Sequence, residues 1–329
     1  MKVFVAGGTG AIGKQLVPQL VAAGHQVVAT TRSATGAEAV QDLGGEPAIA
    51  DGLDERGMVE AVKRAGPEVV IHEMTALAGK PDLRHFDRMF AKTNELRTKG
   101  TDNLIRAARE TGARRLIVQS YSGWPNVREG GAVKTEEDPL DPDPPKWMRE
   151  SMAAFRHIER TVPTAQGLEG VVLRYGGLYG PDTGVMSSEA LELFGKRQFP
   201  IVGDGGGVWS FVHVADAASA TIAALDHGAP GIYNVVDDDP APARAWIPYL
   251  AEVIGAKPPR RVPAWLGRLL AGEVPVTMMT SIRGSSNEKA KRELGWQPRF
   301  PSWREGFAAE GGGASAHGRD AAQVSVSSG

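Results

Sequence analysis

Residues Val5 to Gly13 read VAGGTGAIG, and this short run limits what the chain can become. It holds Gly7-x-x-Gly10-x-x-Gly13 between Lys2 to Ala6 (KVFVA) and Lys14 to Ala23 (KQLVPQLVAA). The first flank is short, apolar and β-branched, so it reads as a buried strand. The second has Leu16, Val17, Leu20 and Val21 at helical spacing and is stopped by Gly24. Gln26 to Thr31 (QVVATT) reads as the next strand. Glycines that leave a strand, open a helix and are followed by a second strand are the context of a dinucleotide-binding turn. Gly7 permits the tight turn, Gly10 lets the backbone approach a pyrophosphate, and Gly13 lets the helix pack on the sheet. Thr9, Ala11 and Ile12 complete the turn, whose free N–H groups face the phosphates.

The same alternation recurs downstream. Glu68 to His72 (EVVIH), Arg115 to Gln119 (RLIVQ) and Gly170 to Leu173 (GVVL) read as strands. Asn94 to Gly112 and Met148 to Val162 read as helices between them. The expected fold is α/β: a Rossmann-type doubly wound parallel sheet with a smaller C-terminal substrate-binding region. We expect a dinucleotide-binding domain over 1–175 and a mainly substrate-binding region over 176–310. Ser210 to Val214 (SFVHV) and Gly231 to Val236 (GIYNVV) are expected to return to the sheet. Residues 311–329 are rich in Gly, Ser and Ala, have little to bury, and are expected to form a disordered tail.

Composition narrows the partners. A formal net charge of −2 gives no bulk attraction to nucleic acid or to a membrane surface. No apolar stretch approaches the roughly 18 residues that would span a bilayer. The apolar run at the N-terminus is too short for the core of a signal peptide. Cysteine is absent, which excludes disulfides and thiolate catalysis. A cytoplasmic protein acting on a small molecule is the expectation. The histidines show no HExxH-type spacing, so no metal site is expected. His72 and His213 read as hydrogen-bonded structural residues.

The end of the second strand selects the cofactor. An NAD site usually has an acid there for the ribose 2′-hydroxyl. This chain has Thr30-Thr31-Arg32-Ser33 instead. Arg32 can pair with a 2′-phosphate and Ser33 can donate to it, so NADP(H) is favoured over NAD(H). Asp51, after Ala48 to Ala50, suits a contact to the adenine amine.

These motifs together resemble the extended short-chain dehydrogenase/reductase family, whose members include NAD-dependent epimerases and dehydratases. GGTGAIG resembles the family's GGxGxxG, and Ala50-Asp51-Gly52 its GDL. Val70 to Thr75 (VIHEMT) resembles the strand end HLAA, which puts Met74 and Thr75 beside the nicotinamide ribose. Leu173 to Pro181 (LRYGGLYGP), Phe211 to Asp216 (FVHVAD) and Leu294 to Pro298 (LGWQP) resemble LRPxxVYGP, FVHVDD and LGWxP. The resemblance runs over about 1–310 and also places Gln119 and Tyr175 beside the cofactor. It implies a small-molecule carbonyl substrate and a possible homodimer.

The family's catalytic set is Asn, Ser/Thr, Tyr and Lys, and here it departs. Arg97 stands where Asn is expected, with Asn94 about a turn earlier. The Ser/Thr falls within Ser120-Tyr121-Ser122. Glu159 matches a Glu that follows the Tyr-x-x-x-Lys motif, which puts Ser151 at Tyr and Phe155 at Lys. No tyrosine occurs between 122 and 174, so no shift restores the motif. A free tyrosine has a pKa of about 10, which a neighbouring Lys lowers toward working pH. A positioned general acid contributes about 10² to 10⁴ in rate. Phe155 supplies neither charge nor proton and reads as core. Hydride transfer is the cofactor's chemistry and needs mainly positioning, so reduction can survive with another proton donor. Tyr121 is the first candidate, with Ser120, Ser122 and Ser151 as hydrogen-bonding partners. The resemblance points the same way, since some atypical family members lacking the pair are active NADPH reductases. An atypical NADPH-dependent ketone or aldehyde reductase is therefore the leading expectation. The alternatives are a nucleotide-sugar epimerase or dehydratase, and a non-catalytic NADP(H)-sensing protein.

Overall fold

The structure is a computed structural model describing residues 1–77, 86–181 and 183–311. Seven parallel strands make the main sheet: β1 (Lys2–Ala6), β2 (Gln26–Thr31), β3 (Glu46–Ile49), β4 (Val69–His72), β5 (Arg115–Tyr121), β6 (Glu169–Tyr175) and β7 (Gly231–Val235). Their spatial order is β7-β6-β5-β4-β1-β2-β3. This is the Rossmann-type doubly wound arrangement, and the order reverses between β1 and β4. Ligands of such sheets bind in the crevice outside the carboxyl ends of the strands at that reversal.

Both faces of the sheet are covered, so its strands are apolar on both sides. Val3, Val5, Ile117, Val171 and Leu173 share one core with α1 (Gly13–Ala22) and the helix Val214–Ala223 on one face. Phe4, Val70, Leu116, Val118 and Val172 pack under α3 (Glu55–Ala65), α5 (Thr101–Thr111) and α6 (Arg149–Thr161) on the other. Between these, α2 (Ala34–Asp42) follows β2, and α4 (Phe86–Glu95) precedes α5. Local chemistry sets the ends. The Asp54 side chain accepts from Gly57 N–H to cap α3, and Gly66 ends it at φ 55°.

Three expectations are corrected. Asn94 to Gly112 is not one helix, because a π-helical turn, Leu96–Gly100, joins α4 to α5. Phe211–His213 does not return to the main sheet. It pairs with Gly177–Gly180 in a separate small sheet. Gly176 makes that departure possible, since a Cβ there would lie 2.6 Å from the Ser210 carbonyl oxygen. Gly311, placed in the tail, instead closes a helix over 303–311. The rest of that tail, 312–329, lies outside the described residues. A third core, built on Tyr179, Phe211, Trp246, Trp303 and Phe307, serves the C-terminal region.

Candidate functional site

At the reversal point the glycine turn is held closely. Gly7 has φ 103°, donates its N–H to Thr30 Oγ1 at 2.9 Å, and leaves no room for a Cβ, which would sit 2.8 Å from the Glu73 carbonyl. A Cβ on Gly13 would lie 2.4 Å from the Gly7 oxygen, so only glycine lets α1 start there. Gly10 differs: it is exposed, and its nearest neighbour for a Cβ is the Gly7 oxygen at 3.5 Å. Its openness leaves a free approach for a ligand rather than a packed backbone. Thr9 is half-buried, Ala11 exposed and Ile12 buried. No side chain caps the start of α1, and no acid stands in its first turn. The unspent N–H groups there suit a pyrophosphate.

Arg32 and Ser33 are exposed at the carboxyl end of β2. Ser33 Oγ accepts from Gly36 N at 3.1 Å as the cap of α2, and its hydrogen stays free to donate. Asp51 is exposed, and its Oδ1 accepts from Leu53 N at 3.0 Å. Met74 is buried after β4, its N–H donating to His72 Nδ1 at 3.1 Å. His72 Nε2 lies 3.0 Å from the Leu96 carbonyl oxygen, and burial pulls the ring down to about 4. Gln119 is half-buried with an unpartnered, buried Nε2.

Three of the expected site residues have their polar groups engaged within the protein. Ser120 points to the α6 face, where its hydroxyl donates to Glu159 Oε1 at 3.1 Å. Glu159 is itself clamped by Arg174 at 2.7 and 2.6 Å. Ser151 is fully buried; its hydroxyl donates to Asp87 Oδ1 at 2.8 Å and accepts from Asn94 Nδ2 at 3.0 Å. Its single hydrogen is committed, so none is left for a substrate. Tyr175 is buried, with its hydroxyl 3.0 Å from Glu73 Oε1 and 2.6 Å from Thr221 Oγ1.

Tyr121 is half-buried at the end of β5, and its hydroxyl makes no hydrogen bond among the described residues. Beside it Trp124, Phe86, Phe155 and Trp147 form an edge-to-face aromatic wall. Phe155 is fully buried in that wall, as its place on an apolar stripe suggested. Arg97 stacks on it, its guanidinium carbon 4.2 Å from the ring centroid. A cation of the π-helical turn thus lies against the aromatic wall. Burial pushes the Tyr121 hydroxyl up to about 12, against the opposing pull of Arg97. The tyrosine is therefore not tuned toward neutral pH.

Two residues escaped the sequence reading. Glu73, within VIHEMT, is 5% exposed, and burial raises its carboxyl to about 8. An acid at the end of an apolar strand was the available signal. Thr221, which receives the Tyr175 contact, gave no signal.

Comparison with known proteins decides the family. The sequence model of the NAD dependent epimerase/dehydratase family matches residues 3–235. The chain belongs to that family. A "3-diazoavenalumate denitrifying reductase" from Streptomyces sp. is 42% identical over 94% of this chain and all of that protein. A "4-hydroxy-2-methyl-3-oxo-4-farnesyl-3,4-dihydroquinoline-1-oxide ketoreductase" from Stigmatella aurantiaca is 28% identical over 91% of this chain and 92% of that protein. Among solved structures, the UDP-glucose 4-epimerase of Thermus thermophilus in complex with NAD superposes with a TM-score of 0.71 at 28% identity, covering 94% and 98% of the two chains. These relatives identify an oxidoreductase of the family, and an NAD(P) cofactor follows. The cramped Gly7 and Gly13, the open Gly10 and the uncapped α1 fit that group. No helix among the described residues is long and apolar enough to cross a membrane.

Proposed function

We propose that this protein is an NADPH-dependent reductase of a small organic molecule, and that its hydride acceptor needs no proton from the protein. The observation that carries this reading is the fate of the acid site. Ser151 has its hydrogen committed to Asp87 and Phe155 is an aromatic core residue, so neither position supplies a proton. A ketone becomes an alkoxide on reduction and needs a proton; an arenediazonium cation does not. Bound at the glycine turn, the dinucleotide supplies hydride, and the net change ArN2+ + H− → ArH + N2 consumes no proton. The name of the Streptomyces relative, a denitrifying reductase of a diazo compound, supports the same acceptor class.

The chain's own residues then bind and orient. Gly7, Thr9, Gly10, Ala11, Ile12 and Gly13 receive the pyrophosphate. Arg32 and Ser33 receive the 2′-phosphate that separates NADPH from NADH. Asp51 turns toward the adenine; Met74 and Gln119 flank the nicotinamide end. Tyr175 acts one layer below, through Glu73, in supporting the turn. The aromatic wall of Trp124, Phe86 and Phe155 excludes water from the acceptor.

A second reading is favoured by one observation: the Tyr121 hydroxyl has no partner among the described residues and remains available to a ketone oxygen. The Stigmatella ketoreductase stands on that side. NADPH consumption with an arenediazonium and with an aryl ketone, each against a protein-free control, separates the two. Consumption only with the ketone would sink the diazo reading.

A further inference from the structure

Arg97 is a buried cation with no counter-ion among the described residues. It is 6% exposed, yet it forms no ion pair among the described residues, and its Nε is buried without any partner. Among the described residues its hydrogen bond runs from Nη1 to Asn94 Oδ1 at 3.2 Å. Asn94 passes on to Ser151 and Ser151 to Asp87, so this hydrogen-bonded chain reaches a carboxylate only through two intervening residues. Stacking on Phe155, with the Phe90 ring centroid at 5.7 Å, fixes the plane of the guanidinium but does not neutralise it. Burial pulls the group down only to about 9, so it is charged at neutral pH. An uncompensated buried charge is costly, and sites that keep one use it.

Its place says for what. The π-helical turn Leu96–Gly100 projects Arg97 toward the carboxyl ends of β4 and β5, where its charge acts on both His72 and Tyr121. Single π turns inside helices are frequent at functional sites. The cofactor's pyrophosphate belongs at the start of α1 beyond β1, and β5 is two strands removed from β1. A planar fork with unspent donors matches a carboxylate or phenolate oxygen.

We infer that Arg97 is the receptor for an anionic oxygen of the substrate, so that the enzyme takes aryl acids or phenolates in preference to neutral arenes. Asn94 is a positioning residue that holds the fork, and Phe155 is its platform. This rests on the reductase reading and adds the substrate class to it.

The test uses the full chain loaded with NADP+, titrated with benzoate and with benzamide, its neutral counterpart of similar shape. Wild type is expected to bind benzoate at least about tenfold more tightly than benzamide, as a charge-assisted pair requires. Arg97→Met should lose that preference while binding NADP+ within about twofold of wild type. Arg97→Lys, which keeps charge without the fork, should fall between. Equal affinity of wild type for the two probes, or binding of neither, overturns the proposal even if Arg97→Met does not fold. So does a variant that keeps its preference for benzoate. A large loss of NADP+ affinity in Arg97→Met would make the cofactor the anion's source and also overturn it. Because no turnover is read, benzoate bound at Arg97 with no reduction of any diazonium would sink the reaction while leaving the anion site standing.

Discussion

Replacing Glu73 by Gln should make the folded protein less sensitive to alkaline pH. Three contacts run through this site: Glu73 to Tyr175, Tyr175 to Thr221 at 2.6 Å, and Thr221 to the Ala217 carbonyl at 2.8 Å. The Tyr175 hydroxyl donates to Glu73 Oε1, which favours the ionised carboxyl, whereas burial disfavours it. Burial prevails and raises the carboxyl from 4.5 to about 8, and Oε2 has no partner to stabilise a charge. The raised value means that the stabilising contribution is fully present below pH 4.5 and is lost as pH rises toward about 8. Each tenfold change in proton affinity is worth about 1.4 kcal/mol, so the ceiling is about 5 kcal/mol. Water entry on ionisation would reduce this to about 2–3 kcal/mol. Urea unfolding of both proteins from pH 5 to pH 8 isolates the effect, because every other titration cancels in the difference. The advantage of Glu73→Gln should grow with pH by that amount. A difference that stays flat would refute the reasoning and show Glu73 ionised throughout.

Other predictions follow from the cofactor and acceptor sites. Arg32→Ala should weaken NADPH binding by about tenfold or more, the value of a charged hydrogen bond, and leave NADH nearly unchanged; calorimetric titration with each reads it, and equal losses would remove the 2′-phosphate role. Tyr121→Phe should leave diazonium reduction within about twofold of wild type, whereas any ketone reduction that uses its hydroxyl should fall by about tenfold or more. Gly13→Ala forces a methyl to within 2.4 Å of the Gly7 oxygen, and overpacking of about 1–3 kcal/mol should appear in urea unfolding together with lost NADPH affinity.

The cofactor half of the molecule was legible because its signals are local. KVFVA, the glycine turn and the helix after it lie within one stretch of chain, and each reports its own conformation. The acceptor half was not, because its contacts are long-range. Arg97 and Phe155 meet only after α4 and α6 pack, and spacing had suggested an uninterrupted helix where the π turn lies. The direction of Ser120 depends on which face of β5 it occupies, which an apolar run covered on both sides does not reveal. SFVHV reads as a strand correctly, yet a three-residue strand carries no mark of the sheet that will receive it. Glu73 belongs with Tyr175 and Thr221 from distant parts of the chain.

The central claim is that hydride transfer here needs no proton. The most direct measurement is a pH-stat assay with 4-carboxybenzenediazonium, which carries the anionic group that Arg97 would receive, monitoring NADPH and N2 together. The account predicts equal amounts of NADPH consumed and N2 released, faster than without protein, with no proton taken up. No consumption above the protein-free rate, or proton uptake matching the cofactor oxidised, would contradict it.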